Sequence, residues 1–187
     1  NEILKLDFNN INIYNILASL SFLNELKLDL KKITKYYKIY EPSEGRGKIY
    51  KIKRYQKKFK LIDESYNANP LSVKNAIQNF SLIKKRNFKK YLLLGDMLEL
   101  GAKSEYFHKN LSKVINNSDI DKVFIKGTKT LITYKNIDKK KRGNILQQEE
   151  DLDFTLNNII ANGDYLMIKG SNATGLNNLS KRIIKGY

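Results

Sequence analysis

From residue 48 onward the chain alternates between two hydrophobic periods, and that alternation restricts its fold more than any other feature. Residues 48–55 interleave apolar and basic side chains, and 59–65 follow as a second short run; both read as strands. Val73, Ala76, Ile77 and Phe80 then recur at three- and four-residue spacing, which predicts a helix over 71–83. Beyond it, 91–94 predicts a buried strand and 104–115 a helix with Tyr106, Phe107, Leu111 and Val114 inward. A strand over 122–126, a weaker helix over about 154–161, a strand over 165–168 and a last helix over 176–184 complete the pattern. Strands separated by helices require right-handed crossovers, so the expected fold is α/β: a Rossmann-like, mostly parallel sheet with flanking helices.

Several of these strands end in glycine beside a polar residue: Gly95-Asp96, Gly127-Thr128 and Gly170-Ser171. Loops of this kind at one edge of a sheet build a concave polar site. The stretch 61–70, LIDESYNANP, is the richest of them. An apolar run ends in two adjacent acids, Asp63 and Glu64, followed by Ser65, Asn67, Asn69 and Pro70. Asp63, Glu64, Asp96 and Glu99 are thus expected at strand ends or in the loops after them. There they either accept hydroxyl and amine donors of a ligand or cap the next helix.

The chain before residue 48 reads differently. Residues 1–8 are expected to form a short strand. A helix follows from Ile11, carried by Ile13, Ile16, Leu17, Leu20, Leu23 and Leu26, and a second over 29–37 turns Leu30 and Ile33 inward. Asn9, Asn10 and Asn12 cluster at the first turn, with Asn15 one turn on; they read as caps or as ligand-bonding groups. The run Glu41-Pro-Ser-Glu-Gly-Arg-Gly47 has no apolar anchor and marks a linker. It divides a helical tail, 1–44, from an α/β domain, 45–187. Arg46 between two glycines is either a solvated turn or a group for forked bonding to phosphate.

The chain has 187 residues and no cysteine, which excludes disulfides, thiolate metal sites and cysteine nucleophiles. No apolar run reaches the length of a membrane helix, and a cytoplasmic location is expected. The start, Asn1-Glu2-Ile3, reads as the cut edge of something longer. The net charge of +16 admits a polyanion partner, but basic residues are dispersed among abundant Asn and Ile, as in chains of AT-biased composition. The densest run, Lys139–Arg142, lies in a polar stretch that reads as a loop. No GxxxxGK[ST] loop, GxGxxG fingerprint or metal-ligand spacing occurs. His108, the single histidine, lies in a helical pattern and reads as packed or solvated.

Whole words of the sequence go further. LIDESYNANP resembles the strand-and-loop signature of the Mur ligases, and Leu94-Gly-Asp-Met-Leu-Glu-Leu-Gly101 resembles their second signature. SEYFH at 104–108, Ile168-Lys-Gly-Ser171 and the GRG at 45–47 are similar to further family motifs in the same order. The resemblance covers roughly 45–187; residues 1–44 resemble the end of the family's central nucleotide-binding domain.

That resemblance implies an ATP- and Mg²⁺-dependent ligase that proceeds through an acyl phosphate, with both cofactors held mainly upstream. The particular motifs match the branch that adds D-Ala-D-Ala to UDP-N-acetylmuramoyl-tripeptide, in bacterial cell-wall synthesis. It implies nucleotide contacts for Asn15, Arg46, Asp63 and Glu64, with either acid of the pair as the direct one. Asn67 and Asn69 would face the reacting centre, and Asp96, Glu99, Lys169 and Ser171 the substrate. No metal ligand and no nucleic-acid partner are implied, and a monomer is expected. Ile11 stands where the family commonly has histidine, and Asp63-Glu64 where many members have two aspartates. The family's phosphate loop, metal-binding acid and carbamylated lysine are not in this sequence, so the chain by itself is expected to be inactive. A sister ligase, a basic nucleic-acid-binding domain and a non-catalytic binding relic are the alternative readings.

Overall fold

The computed structural model describes residues 13–39, 41–84, 87–147 and 150–186. The strand expected over 1–8, and Asn9, Asn10, Ile11 and Asn12, lie outside them. The chain divides into two compact units that meet between Ser43 and Glu44. In the first, α1 (Ile13–Glu25) and α2 (Leu30–Ile39) form a helical pair. Asp29 starts α2 by accepting the Lys31 N–H at 3.0 Å, and the Ser19 and Tyr37 hydroxyls meet at 2.5 Å.

The second unit is built on six strands: β1 (Lys48–Arg54), β2 (Lys57–Glu64), β3 (Lys90–Gly95), β4 (Lys122–Lys126), β5 (Arg142–Ile145) and β6 (Tyr165–Lys169). They lie in the order β1-β2-β6-β3-β4-β5. β1 and β2 form an antiparallel hairpin, and every other neighbouring pair is parallel. The hairpin closes on Tyr55 and Gln56, both left-handed at φ 54° and 56°, the backbone of a two-residue turn whose twist suits the strands.

Five helices cover the sheet: α3 (Pro70–Leu82), α4 (Ser104–Asn116), α5 (Thr130–Asn136), α6 (Glu150–Ile159) and α7 (Leu176–Lys185). Strand alternation divides the core into two layers. Leu92 and Leu94 of β3 point into one layer with Val73, Ile77, Phe80, Leu111 and Ile115 of α3 and α4. Tyr91 and Leu93 point into the other, with Leu152, Leu156, Leu179 and Ile183 of α6 and α7. Each fully buried aliphatic side chain contributes on the order of 1.5–3 kcal/mol.

The expected mostly parallel α/β sheet is present, with three differences. α5 and β5 are additional elements: α5 is seven residues long, and β5 is a four-residue edge strand with no apolar alternation. The basic run 139–142 is a short 3₁₀ turn that enters β5, not a solvated loop. Lys141 within it is 6% exposed and donates to the Ser118 and Ile120 carbonyls at 2.6 and 3.0 Å. The inward face of α4 is also rotated from expectation: His108, Leu111, Ser112 and Ile115 are buried, while Tyr106 is exposed. The 108–111–115 stripe, not the aromatic pair, sets the helix's orientation.

Candidate functional site

Helices that leave neighbouring strands depart to opposite faces at one place in the sheet. α3, leaving β2, and α4, leaving β3, pack in one layer, whereas α7, leaving β6 between those strands, packs in the other. Loops that part in this way leave a crevice outside the carboxyl ends of the strands, where α/β sheets bind ligands. Glu64 ends β2 and Lys169 ends β6, and the two are register partners.

The linker before β1 returns to this same edge because β1 runs antiparallel. Gly45 and Gly47 are left-handed, at φ 74° and 96°. A Cβ on Gly45 would lie 2.8 Å from that of Tyr66, and one on Gly47 3.0 Å from Glu64 Oε1, so both positions require glycine. Gly45 donates its N–H to Asp63 Oδ2 at 2.9 Å, Gly47 to the Asp63 carbonyl at 2.7 Å, and Tyr66 to the Gly45 carbonyl at 3.1 Å. Arg46 stands exposed at the tip, with its guanidinium 4.3 Å from the centroid of the Tyr66 ring.

The acid pair divides its work. Asp63 is 1% exposed, and its Oδ1 accepts the Ser65 hydroxyl at 2.6 Å. Glu64 keeps 28% of its side chain exposed and pairs with Lys169 at 3.3 Å. Lys169 also donates to the Asn67 carbonyl at 2.6 Å. Burial pushes the Lys169 ammonium below the usual lysine range; Glu64 opposes that shift and Arg46 adds to it.

In the loop after β2, Asn67 is exposed and its side-chain oxygen accepts the Ala68 N–H at 2.8 Å. Asn69 is the N-cap of α3 in a reciprocal capping box with Ser72, at 2.8 and 3.0 Å. Its side chain is therefore engaged in starting the helix.

Across the crevice, Asp96 turns inward and accepts the Thr130 N–H and hydroxyl at 2.7 and 3.0 Å. Its carboxylate fills the space beside Gly127, where a Cβ would lie 2.3 Å away. Ser171 joins three loops: its hydroxyl donates to the Ala68 carbonyl at 3.4 Å and accepts the Leu98 N–H at 3.2 Å, and its own N–H bonds the Asp96 carbonyl at 3.2 Å. Glu99 is exposed at φ 61°. His108 is packed at 0% exposure, with Nε2 accepting the Met97 N–H at 3.2 Å and Nδ1 donating to the Ser104 carbonyl at 2.8 Å.

Arg46, Asp63, Glu64, Asn67, Asp96, Lys169 and Ser171 therefore share one edge, with Glu99 in the loop that follows β3. Asn15 is exposed on α1, in the other unit. Sequence reasoning did not single out Tyr66 or Thr130. Tyr66 had one available signal, an aromatic inside an otherwise small and polar loop; Thr130 had none, since only the fold brings it to Asp96. The edge presents a cation and an amide on pinned backbone. Among the described residues no cluster of three or more His, Asp or Glu could hold a metal ion. The chemistry on offer is anion binding and orientation. No helix of the described residues is long and apolar enough to cross a membrane.

Comparisons with known proteins fit this geometry. The chain is 34% identical over 128 residues to UDP-N-acetylmuramoyl-tripeptide–D-alanyl-D-alanine ligase of Bacillus subtilis, covering 67% of this chain and 28% of that protein. It is 27% identical over 165 residues to the ligase of that name from Rickettsia prowazekii, covering 88% and 35%. The chain thus spans about a third of the length of these relatives. Among solved structures, its fold is similar to a MurF ligase from Thermotoga maritima in complex with ADP (TM-score 0.75, 23% identity, 92% of this chain and 38% of that one). It is likewise similar to MurF from Acinetobacter baumannii (TM-score 0.77, 24% identity, 93% and 37%). The family description "Mur ligase, glutamate ligase domain" matches residues 46–172, from the linker arginine through the loop after β6, and the chain belongs to the Mur ligase family.

Proposed function

We propose that residues 45–187 are the C-terminal domain, and 1–44 the end of the central domain, of a cytoplasmic, monomeric, ATP-dependent ligase. It adds D-Ala-D-Ala to UDP-N-acetylmuramoyl-tripeptide. The observation that carries this reading is Arg46: an exposed guanidinium on a doubly anchored glycine turn, resting on Tyr66, at the switch point of a Mur ligase sheet. A planar cation with forked donors fits a phosphate chain. ATP, with Mg²⁺ held mainly outside these residues, would supply the γ-phosphoryl group that converts the substrate's carboxylate into an acyl phosphate, with ADP as the leaving group.

The chain's own residues orient and enclose. Arg46 pairs with phosphate oxygens, and Glu64, the exposed member of its acid pair, accepts ribose hydroxyls. Asn67, its carbonyl fixed by Lys169, faces the reacting centre. Glu99 and the Lys169–Ser171 loop line the side where the incoming amine is held. Asp63, Asp96 and Asn69 keep the loops that carry these groups in place. An acyl phosphate survives only where water is excluded, and holding amine and carbonyl in line removes much of the entropic barrier. In the ligase that contains this chain, Arg46→Ala should lower kcat by about 100-fold or more with the melting temperature unchanged. Normal turnover would remove Arg46 from the site.

A further inference from the structure

One residue holds both sides of the turn on which Arg46 stands, by its carboxylate on one side and its backbone carbonyl on the other. Asp63 Oδ2 accepts the Gly45 N–H at 2.9 Å, Oδ1 accepts the Ser65 hydroxyl at 2.6 Å, and its carbonyl accepts the Gly47 N–H at 2.7 Å. Arg46 is therefore flanked by two amides bonded to the same residue. The ring beneath its guanidinium belongs to Tyr66, whose N–H is bonded back to Gly45 at 3.1 Å. Both Asp63 oxygens are engaged within the protein, and the residue is 1% exposed. Along a strand successive side chains point to opposite sides, which leaves Glu64 as the partly open acid.

The geometry points to Asp63 as a positioning residue: it acts on the nucleotide through Arg46 and does not touch the nucleotide itself. This rests on the reading of Arg46 given above. The chemistry makes the claim sharp. A carboxylate accepts on both oxygens, whereas an asparagine side chain offers one acceptor oxygen and one donor group. Asp63→Asn could keep its oxygen on the Gly45 N–H while its amide donates to the Ser65 hydroxyl, so the variant that releases the turn is Asp63→Ala, which removes both acceptors.

The test is a double-mutant cycle in the ligase that contains this chain, reading kcat and KM for ATP. If Arg46→Ala costs about 100-fold and Asp63→Ala about 10-fold, the double variant should be no more than about 2-fold worse than Arg46→Ala alone. Penalties that multiply to about 1000-fold would mean that Asp63 acts on the ligand independently, and the proposal fails. Hydrogen exchange gives a readout that does not depend on activity. The Gly45 amide should be protected in the parent and exchange at least about 10-fold faster in Asp63→Ala, while core amides of β3 hold. Unchanged Gly45 exchange in a folded Asp63→Ala overturns the proposal. Should that variant not fold, an unprotected Gly45 amide in the parent overturns it equally. Normal turnover of Arg46→Ala would instead sink the reading of Arg46, and exchange alone would then decide whether Asp63 holds the turn.

Discussion

The two edges of the sheet bury ionisable side chains in similar ways, and they differ in what the loops anchored by those side chains carry. At the amino edge, Asp164 is 2% exposed and accepts the Lys89 and Ala161 N–H groups, both at 2.7 Å. Lys90, fully buried, pairs with Asp119 at 2.7 Å and donates to the Ser81 carbonyl at 3.0 Å. At the carboxyl edge, Asp63, Asp96 and Lys169 are wired just as tightly, but Arg46, Tyr66, Asn67 and Glu99 remain outside. A buried charge at a strand end therefore marks an anchored loop at either edge. What distinguishes the carboxyl edge is the glycine-flanked linker turn, which sets the Arg46 guanidinium on the Tyr66 ring beside the Glu64–Lys169 pair.

The comparison can be broken by substitution, and the largest effect should come from the amino edge. Asp164→Ala removes the charged acceptor of two part-buried N–H groups, those of Lys89 and Ala161, and should lower unfolding stability by about 2 kcal/mol in urea titration. Below its melting transition the variant should leave ligase turnover intact; a slowed kcat there would erase the distinction between the edges. Asn67→Ala should do the opposite, cutting kcat about 10-fold, or about 1.4 kcal/mol, with a stability change under about 0.5 kcal/mol. Loss of stability without loss of turnover would make Asn67 a turn residue only.

Smaller effects belong to the hairpin at the amino edge. Gln56→Gly relieves a left-handed non-glycine position and should raise stability by about 0.5–1 kcal/mol, with no change in turnover. Tyr55 donates its hydroxyl to Asp153, and burial first, then that bond, push its pKa above the ordinary phenol value. A group whose folded pKa is raised contributes stability that is complete below the unfolded pKa, about 10, and is lost as pH rises beyond it. The denaturation midpoint of Tyr55→Phe should therefore fall less than the parent's between pH 9 and 11. Lys141 and Lys169, whose pKa values are lowered by burial, favour folding as pH rises toward about 10.5, but they cancel in this difference. Identical alkaline slopes for parent and variant would refute a raised Tyr55 pKa.

How much of this was legible in the sequence depended on whether local pattern or tertiary pairing decides the outcome. The buried residues of α3, Val73, Ala76, Ile77 and Phe80, could be read directly, because one amphipathic stripe fixes them. β5 could not: its four residues carry no alternation, and only the end of a parallel sheet beside β4 makes them a strand. Lys141 looked like part of a solvated run, because nothing local announces the two carbonyls it caps. The placement of polar residues at one edge was legible from glycines after strands. The roles within it were not, since Asp63 and Glu64 differ through Gly45, 18 positions away, and Lys169, 105 away. Asn69 is the reverse case: an asparagine before proline, with Ser72 three positions on, spells a helix cap locally.

The stacking of Arg46 on Tyr66 has a statistical consequence. A long side chain loses about 1.5–2 kcal/mol of rotamer freedom when a ligand immobilises it. With the guanidinium already resting 4.3 Å from a ring centroid, part of that freedom is gone before any anion arrives. If half is absent beforehand, about 1 kcal/mol, the anion binds roughly fivefold more tightly than to an arginine that samples solvent freely. Tyr66 would then contribute to affinity without making any contact with the ligand.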